Sequence, residues 1–260
     1  MKNDYTVKLD IAQELKDSPK AEKLRERFGE THDENVPVLR LDENGLSLIA
    51  DSNRISGDLK KMMGRVSNGK LAHEMLVKAA KIKDIGDRPT AIDATAGLGD
   101  DSFLLAAAGF EVSMFERNPI VFELLSDAIN RAKDDPETRD IAERMHLSFS
   151  DSINAMEKLE KPVDIILLDP MFPERQKSAL VKKKLQVIQR IEIPCSDEEE
   201  LFLAAVKAAP KRLIIKRPPK GPFLAGIKPD FSYTGKAVRF DCFASPFSRL
   251  ERFIKLIEAT

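Results

Sequence analysis

Ala91-Ile-Asp-Ala-Thr-Ala-Gly-Leu-Gly-Asp-Asp-Ser-Phe103 begins as an apolar strand that ends at Asp93, continues as a loop with Gly97 and Gly99, and then starts a helix. Glycines in such a loop let the backbone approach a ligand with no Cβ in the way. The dinucleotide-binding motif has a third glycine where this chain has Ser102, which counts against NAD. The stretch predicts a strand–loop–helix unit for a nucleotide-type cofactor, although a tight turn without a ligand has the same short signature.

A second strand is predicted at residues 110–115, and it ends at Glu116. An acid at the tip of the second strand is placed to accept hydrogen bonds from ribose hydroxyls. Glu116 follows Gly99 by 17 residues, close to the spacing of that motif. We therefore expect Asp93, Gly97, Gly99 and Glu116 to hold the cofactor, and a side chain added at Gly99 to intrude into its site.

The other informative motif is Asp169-Pro-Met-Phe-Pro173, which follows the apolar run 163–168. Asp169 and the Pro170 carbonyl are placed to accept the two N–H groups of a planar amine, which frees the nitrogen lone pair. Phe172 is placed to stack on the base, which must be unpaired or flipped out. Together with the glycine loop, the motif indicates methyl transfer from S-adenosylmethionine (SAM) by alignment of the two groups. A helix cap at Asp169 and a core position for Phe172 are the structural alternatives.

Composition limits the class of protein. The chain has 260 residues, 33% of them charged, which fits a globular protein of one large domain or of one domain with an appendage. The N-terminus lacks the apolar segment of a secretory signal and no apolar run could span a bilayer, so we expect a cytoplasmic location. Cys195 and Cys242 are far apart and the histidines are scattered, so we expect no metal site.

Positive charge is concentrated in the C-terminal half. Residues 170–240 contain fifteen Lys and Arg against seven Asp and Glu, although the whole chain has a formal net charge of -1. This surplus begins at the Asp-Pro motif, where cations would neutralise the phosphates of an RNA or DNA substrate. Solvated helix faces are the alternative explanation. The predicted RNA-binding residues are Arg175, Lys177, Lys182, Lys183 and Lys184.

The order of predicted elements indicates an α/β fold. Strands and helices alternate after residue 90, which predicts a mostly parallel sheet with helices on both faces. We expect strands at 90–93, 110–115, 145–149, 163–168, 213–216 and 237–243, and helices at 101–108, 119–132, 178–190 and 197–208, with a short one after Asp151-Ser152. Ligands of such sheets bind at the carboxyl ends of the strands. The candidate residues at those ends are Asp93, Glu116, Asp151, Ser152 and Asp169.

The first 66 residues differ in pattern and predict a small α+β extension. It has a strand at 5–9, a helix that Ser18-Pro19 starts and Gly29 stops, and a hairpin at Asn44-Gly45 between runs 36–40 and 46–50. A helix at 71–81 follows. The predicted domains are thus 1–66, a cofactor-binding domain at 67–244, and an amphipathic C-terminal helix at 245–260 that packs against the body or a partner.

These motifs resemble those of the ribosomal RNA small subunit methyltransferase J family, whose members are class I SAM-dependent methyltransferases with a Rossmann-like fold. The resemblance covers about residues 68–243, and the N-terminal 60 residues match only loosely. It rests on Asp93-Ala-Thr-Ala-Gly-Leu-Gly99, Phe115-Glu-Arg-Asn-Pro119, Leu168-Asp-Pro-Met-Phe-Pro173, Gln176-Lys-Ser-Ala-Leu-Val-Lys-Lys183, Lys216-Arg-Pro218 and Arg239-Phe-Asp241.

The resemblance implies methylation of the exocyclic N2 of one guanosine in small-subunit (16S) rRNA, with that rRNA or the small ribosomal subunit as the partner. It implies Asp169, Pro170 and Phe172 as the catalytic residues. Asp100 stands where the family pattern has a basic residue. By position, the implied SAM contacts are Asp100, Asp101, Glu116, Arg117, Asp151, Ser152 and Asp169.

Two other functions fit parts of the pattern. An amino-methyltransferase of another RNA or DNA base would use the same Asp-Pro-x-Phe logic, but no target-recognition domain is evident. A non-catalytic RNA-binding assembly factor would retain the SAM pocket as a relic. The intact Asp93, Gly97, Gly99, Glu116 and Asp169 argue against such decay.

Overall fold

The computed structural model of the chain describes residues 5–29, 31, 33–50, 53–83, 85–170 and 198–258. The strands are β1 Lys8–Ile11, β2 Val38–Asp42, β3 Gly45–Ala50, β4 Asn53–Ile55, β5 Thr90–Asp93, β6 Glu111–Glu116, β7 Met145–Phe149, β8 Ile165–Leu168, β9 Arg212–Arg217, β10 Phe231–Thr234 and β11 Arg239–Ala244. The α-helices are α1 Pro19–Phe28, α2 Met63–Val66, α3 Met75–Ala80, α4 Asp100–Ala107, α5 Pro119–Asp134, α6 Arg139–Ala142, α7 Ser152–Glu157, α8 Glu198–Lys207 and α9 Leu250–Glu258.

The larger sheet has seven strands in the order β10-β11-β9-β8-β5-β6-β7. Neighbours from β9 to β7 are parallel, whereas β11 pairs antiparallel with both β9 and β10. The predicted mostly parallel sheet is therefore confirmed. Strand β10 was not predicted, because its four residues form a short edge strand with no buried face.

Helices cover both faces of this sheet, as predicted. Ile165 and Leu167 of β8 join the core beneath α3, α4 and α5, and Ile166 and Leu168 join the core beneath α7, α8 and α9. This alternation follows from the two-residue period of a strand, and it explains why β8 is apolar throughout. The C-terminal helix packs on the body through Phe253, whose ring meets those of Phe202 and Phe243.

The N-terminal residues form a second, four-stranded sheet in the order β1-β2-β3-β4. The predicted hairpin is present between β2 and β3, whereas the first strand lies at Lys8–Ile11 and not at 5–9. Gly45 has a φ of 94°, and a Cβ there would lie 2.6 Å from the Asp127 carboxylate of α5. That carboxylate accepts the Leu46 N–H at 2.9 Å, so the turn docks on α5. The domain boundaries at 66/67 and 244/245 stay predictions.

The predicted helix at 71–81 is interrupted. A 3₁₀ turn at Lys70–His73 and helix α3 are separated by Glu74, whose backbone is extended at φ -62° and ψ 131°. The Glu74 carboxylate is held by the Arg65 guanidinium through contacts of 2.8 and 2.5 Å. This long-range pairing fixes the break, and the apolar spacing alone could not reveal it. The helix predicted at 178–190 lies outside the described residues.

Candidate functional site

A cleft of about 330 Å³ lies at the carboxyl ends of the parallel strands. Strands β5, β6, β8 and β9 each contribute their last residues or the residues that follow them. Pro170 lines the cleft, whereas the third predicted catalytic residue, Phe172, lies outside the described residues. All ten residues predicted to contact the cofactor line it: Asp93, Gly97, Gly99, Asp100, Asp101, Glu116, Arg117, Asp151, Ser152 and Asp169.

The two loop glycines have different roles. Gly97 has a φ of 52°, and a Cβ there would meet only the Thr95 carbonyl oxygen, at 3.9 Å, so its bare backbone faces open space at the cleft. Gly99 has a φ of 83°, and a Cβ there would lie 2.7 Å from Leu125 Cδ1. The expectation that a side chain at Gly99 intrudes into the cofactor site is therefore wrong in its steric reason. The conflict is with the core beneath the loop.

Substitution at Gly99 should consequently lower stability before it affects binding. Gly99→Ala adds left-handed strain of about 1 to 2 kcal/mol and crowding against Leu125 of about 1 to 3 kcal/mol. Gly69 is a matched control, because its φ is 75° and a Cβ there would meet nothing within 4 Å. Urea unfolding should show Gly69→Ala losing only the strain energy. Equal losses in the two variants would contradict the crowding.

Asp93 fixes the shape of the glycine loop. It is 2% exposed, and its carboxylate accepts the Ser102 hydroxyl at 2.6 Å and the Thr95 N–H at 3.1 Å. Burial, opposed by these hydrogen bonds and assisted by the nearby Asp101, raises the pKa of Asp93 to about 6. Ser102, where the dinucleotide motif has glycine, thus has a definite partner. The serine joins helix α4 to the tip of β5.

Glu116 presents a buried carboxylate at the tip of β6. It is 8% exposed, and its Oε1 accepts the Asn118 N–H at 2.7 Å. Burial raises its pKa to about 7, although backbone N–H groups of Asn118, Arg117 and Gly97 favour the ionised form. An acceptor this poorly hydrated is suited to hydroxyl donors from a ligand.

Asp151 has a structural role in addition to its place in the cleft. Its Oδ1 caps α7 by accepting the Ile153 and Asn154 N–H groups at 3.0 and 3.1 Å. Its Oδ2 lies 3.4 Å from Nη1 of Arg117. Helix α7 therefore starts at the cleft, with Ser152 as its first residue.

Asp169 is coupled to a cation that was not predicted as a site residue. Lys216 Nζ, at the end of β9, lies 2.8 Å from Asp169 Oδ2 and 2.5 Å from Asp101 Oδ2. The Asp169 N–H donates to Thr95 Oγ1 at 2.6 Å, which ties the two loops together. Burial in the cleft and the proximity of Asp101 raise the pKa of Asp169, and Lys216 opposes this rise. Tyr5 of the N-terminal sheet region is another unpredicted lining residue.

Several basic residues of the C-terminal half are internal. Arg212 Nη1 donates to the carbonyls of Ala79 and Lys81 at 2.8 and 2.7 Å, and Arg239 makes two 2.8 Å contacts with Asp241. Arg217 is 2% exposed and lies beside Glu198. These cations hold the fold and not a surface ligand. The predicted RNA-binding residues Arg175, Lys177, Lys182, Lys183 and Lys184 lie outside the described residues.

Two further findings concern the described residues alone. No group of three or more His, Cys, Asp or Glu side chains within the described ranges is arranged to hold a metal ion. No helix among them is both long and apolar enough to cross a membrane.

Comparisons with known proteins agree with this architecture. Residues 23–245 match the family described as "Putative SAM-dependent methyltransferase". The chain is 44% identical over 215 residues to ribosomal RNA small subunit methyltransferase J of Actinobacillus pleuropneumoniae serotype 5b, covering 82% of this chain and 83% of that protein. It is 40% identical over 222 residues to the protein of the same name from Neisseria gonorrhoeae, covering 80% and 88%.

A solved structure is also similar. The crystal structure of a SAM-dependent methyltransferase from Neisseria gonorrhoeae superposes with a TM-score of 0.72 at 32% sequence identity. The match covers 92% of this chain and 96% of the other. The similarity therefore includes the N-terminal sheet as well as the larger one.

Proposed function

The chain belongs to the ribosomal RNA small subunit methyltransferase J family of SAM-dependent methyltransferases, and from this we propose that it methylates the exocyclic N2 of a guanosine in small-subunit (16S) rRNA. The observation that carries the proposal is the position of Asp169 and Pro170. They lie in the same cleft as the glycine loop and the acids that follow β5 and β6. An amine acceptor and a cofactor site thus share one opening.

The cleft residues fit SAM in chemical type. When bound, SAM supplies a methyl group made electrophilic by the sulfonium. The exposed backbone at Gly97 allows close approach of the cofactor, and the Glu116 carboxylate accepts hydrogen bonds from the ribose hydroxyls. The acids Asp101, Asp151 and Asp169 give the cleft an excess of negative charge, which suits a cationic ligand.

Asp169 and Pro170 orient the target amine. The amine of guanine is delocalised into its ring and is a poor nucleophile. Acceptance of one N–H by the Asp169 carboxylate and of the other by the Pro170 carbonyl directs the nitrogen lone pair toward the methyl carbon. As the N–C bond forms, the C–S bond breaks with its electron pair on sulfur, and the nitrogen releases one proton to solvent. Positioning of this kind contributes on the order of 7 to 11 kcal/mol when alignment is ideal.

Methyl transfer can be tested directly. Small ribosomal subunits from a strain that lacks the gene are incubated with the purified protein and labelled SAM, and label in rRNA is counted. Calorimetry with SAM, S-adenosylhomocysteine and NAD runs in parallel. We expect label in rRNA and no measurable NAD binding. SAM binding without label in any RNA would favour the non-catalytic assembly factor, and label in a DNA substrate would favour another base methyltransferase.

The basic segment supplies the predicted RNA affinity. Replacement of Lys182, Lys183 and Lys184 by glutamate should weaken RNA binding about 10- to 100-fold and make its salt dependence less steep, because each lost phosphate contact removes about 0.7 from the slope. SAM affinity should stay unchanged. Binding is measured by filter retention at several salt concentrations.

A matched variant with the same change of charge is the control. It replaces Lys81, Lys158 and Lys161, three exposed lysines that lie before the amino ends of β9 and β8, opposite the cleft. If both triple variants lose the same RNA affinity, net charge and not the predicted segment determines binding. The substrate proposal also implies a cytoplasmic location, where the small subunit is assembled.

A further inference from the structure

A single ammonium group joins the cofactor side of the cleft to its catalytic side. Lys216 Nζ bridges Asp101, in the first turn of α4, and Asp169, immediately after β8. The three residues come from separate elements. They meet because β8 and β9 are parallel neighbours, with Leu168 opposite Ile215, so that the next residue of each strand lies at the same edge.

This bridge is unlike the structural ion pairs of the protein. Arg239 and Asp241 are 10% and 3% exposed, and their contacts are closed to ligands. Lys216 is 25% exposed and Asp169 is 40% exposed, and both side chains face the cleft. Lys216 contacts Asp169 Oδ2, which leaves Oδ1 available to a substrate amine. A purely structural pair has no reason to leave one carboxylate oxygen open in this way.

The charges around Asp169 make the ammonium necessary. The Asp101 and Asp93 carboxylates act on Asp169 from α4 and β5, and Lys216 and Arg217 act on it from β9. Without Lys216, burial and two neighbouring carboxylates would favour a protonated Asp169, and a protonated carboxyl is a poor acceptor for an amine N–H. The same carboxylates raise the pKa of Lys216, which therefore stays a cation and cannot serve as the base.

We propose that Lys216 is a positioning residue for methyl transfer: its bridge from Asp101 holds the Asp169 carboxylate ionised and turned so that Oδ1 accepts the target amine. This inference rests on the proposed function, since it assigns Lys216 a part in the same reaction. Lys216 acts through Asp169 and does not itself touch the reacting atoms.

The test is the pH dependence of kcat at saturating SAM and saturating small subunits. Lys216→Met keeps the length of the side chain and removes its charge. Loss of an adjacent opposite charge raises a carboxyl pKa by about 1 to 3 units, so the acid limb of the profile should move to higher pH by that amount. At pH 6 kcat should fall at least about 10-fold, and it should recover as the pH rises. Lys216→Arg keeps the charge and should keep the wild-type limb.

Two controls separate this effect from a general loss of structure. Asp101→Asn removes a negative charge beside Asp169, so its acid limb should lie at or below the wild-type position, opposite in direction to Lys216→Met. Lys211→Met removes an ammonium that pairs with Asp164 at 2.7 Å, at the amino end of the same strand, and should leave the profile unchanged.

The outcomes are distinct. A wild-type enzyme that places no methyl group in rRNA would refute the proposed function itself. An active wild type with a Lys216→Met variant whose kcat falls equally at every pH, or does not fall, would overturn the role of Lys216 and leave the proposed function standing. A shifted acid limb that Lys216→Arg restores would support it.

Discussion

Replacement of Asp169 by alanine is expected to abolish methyl transfer while the protein stays folded. The variant loses the acceptor that aligns the amine, so kcat should fall at least about 100-fold, the scale seen when one preorganised hydrogen-bonding group is removed. The KM for the small subunit should change little, because the contact gains most of its strength in the transition state. Initial rates with labelled SAM, at varied subunit concentration, separate the two constants.

The fold should survive because little of it depends on this side chain. Asp169 is 40% exposed, its backbone N–H still donates to Thr95, and Lys216 keeps its contact with Asp101. Asp164 is the matched control, because it lies before the other end of β8 and pairs with Lys211. Asp164→Ala should lose stability and retain kcat. A folded Asp169→Ala enzyme with near wild-type turnover would remove Asp169 from the mechanism.

Glu116→Gln should change stability and cofactor affinity in opposite directions. In the folded protein the pKa of Glu116 is raised from 4.5 to about 7, so the ionised carboxylate destabilises the fold above pH 7. The penalty disappears as the pH falls from about 7 to 4.5, because the folded state then binds the proton more readily than the unfolded state. At pH 8 the SAM-free variant should therefore unfold with about 1 to 3 kcal/mol more free energy than the wild type. The two should converge near pH 5.

The same change should weaken SAM binding about 10- to 100-fold, the free energy of a hydrogen bond to a charged group. Urea unfolding at several pH values and calorimetry with SAM measure the two effects. Glu123 is the control, because it is a buried glutamate outside the cleft whose Oε1 lies 3.0 Å from Arg27 Nε. Glu123→Gln should lose stability and keep SAM affinity. A Glu116→Gln variant that is less stable than the wild type at pH 8 would contradict the assigned pKa.

Local motifs made much of the site predictable. Asp93, Glu116 and Asp169 each end an apolar run, and parallel strands bring their carboxyl ends to one edge, so the sequence sufficed to gather them. Lys216 was harder, because it has the same local appearance as the internal Arg217 beside it. Only the pairing of β9 with β8 shows that Lys216 faces the cleft.

Other differences have the same physical origin. The direction of a Cβ at Gly99 depends on how the loop packs over Leu125, and sequence spacing contains no information about this. The break at Glu74 depends on a carboxylate–guanidinium contact with Arg65, nine residues earlier. Tertiary contacts thus decided the points at which local patterns failed.

The central claim, methylation of guanosine N2 in small-subunit rRNA, is tested most directly by mass spectrometry of nucleosides. Small-subunit rRNA from a strain that lacks the gene is digested and mapped before and after incubation with the purified protein and SAM. We predict one new N2-methylguanosine at a single position. A methyl group on adenosine or cytidine, or no new methylated nucleoside in rRNA from intact small subunits, would contradict the claim.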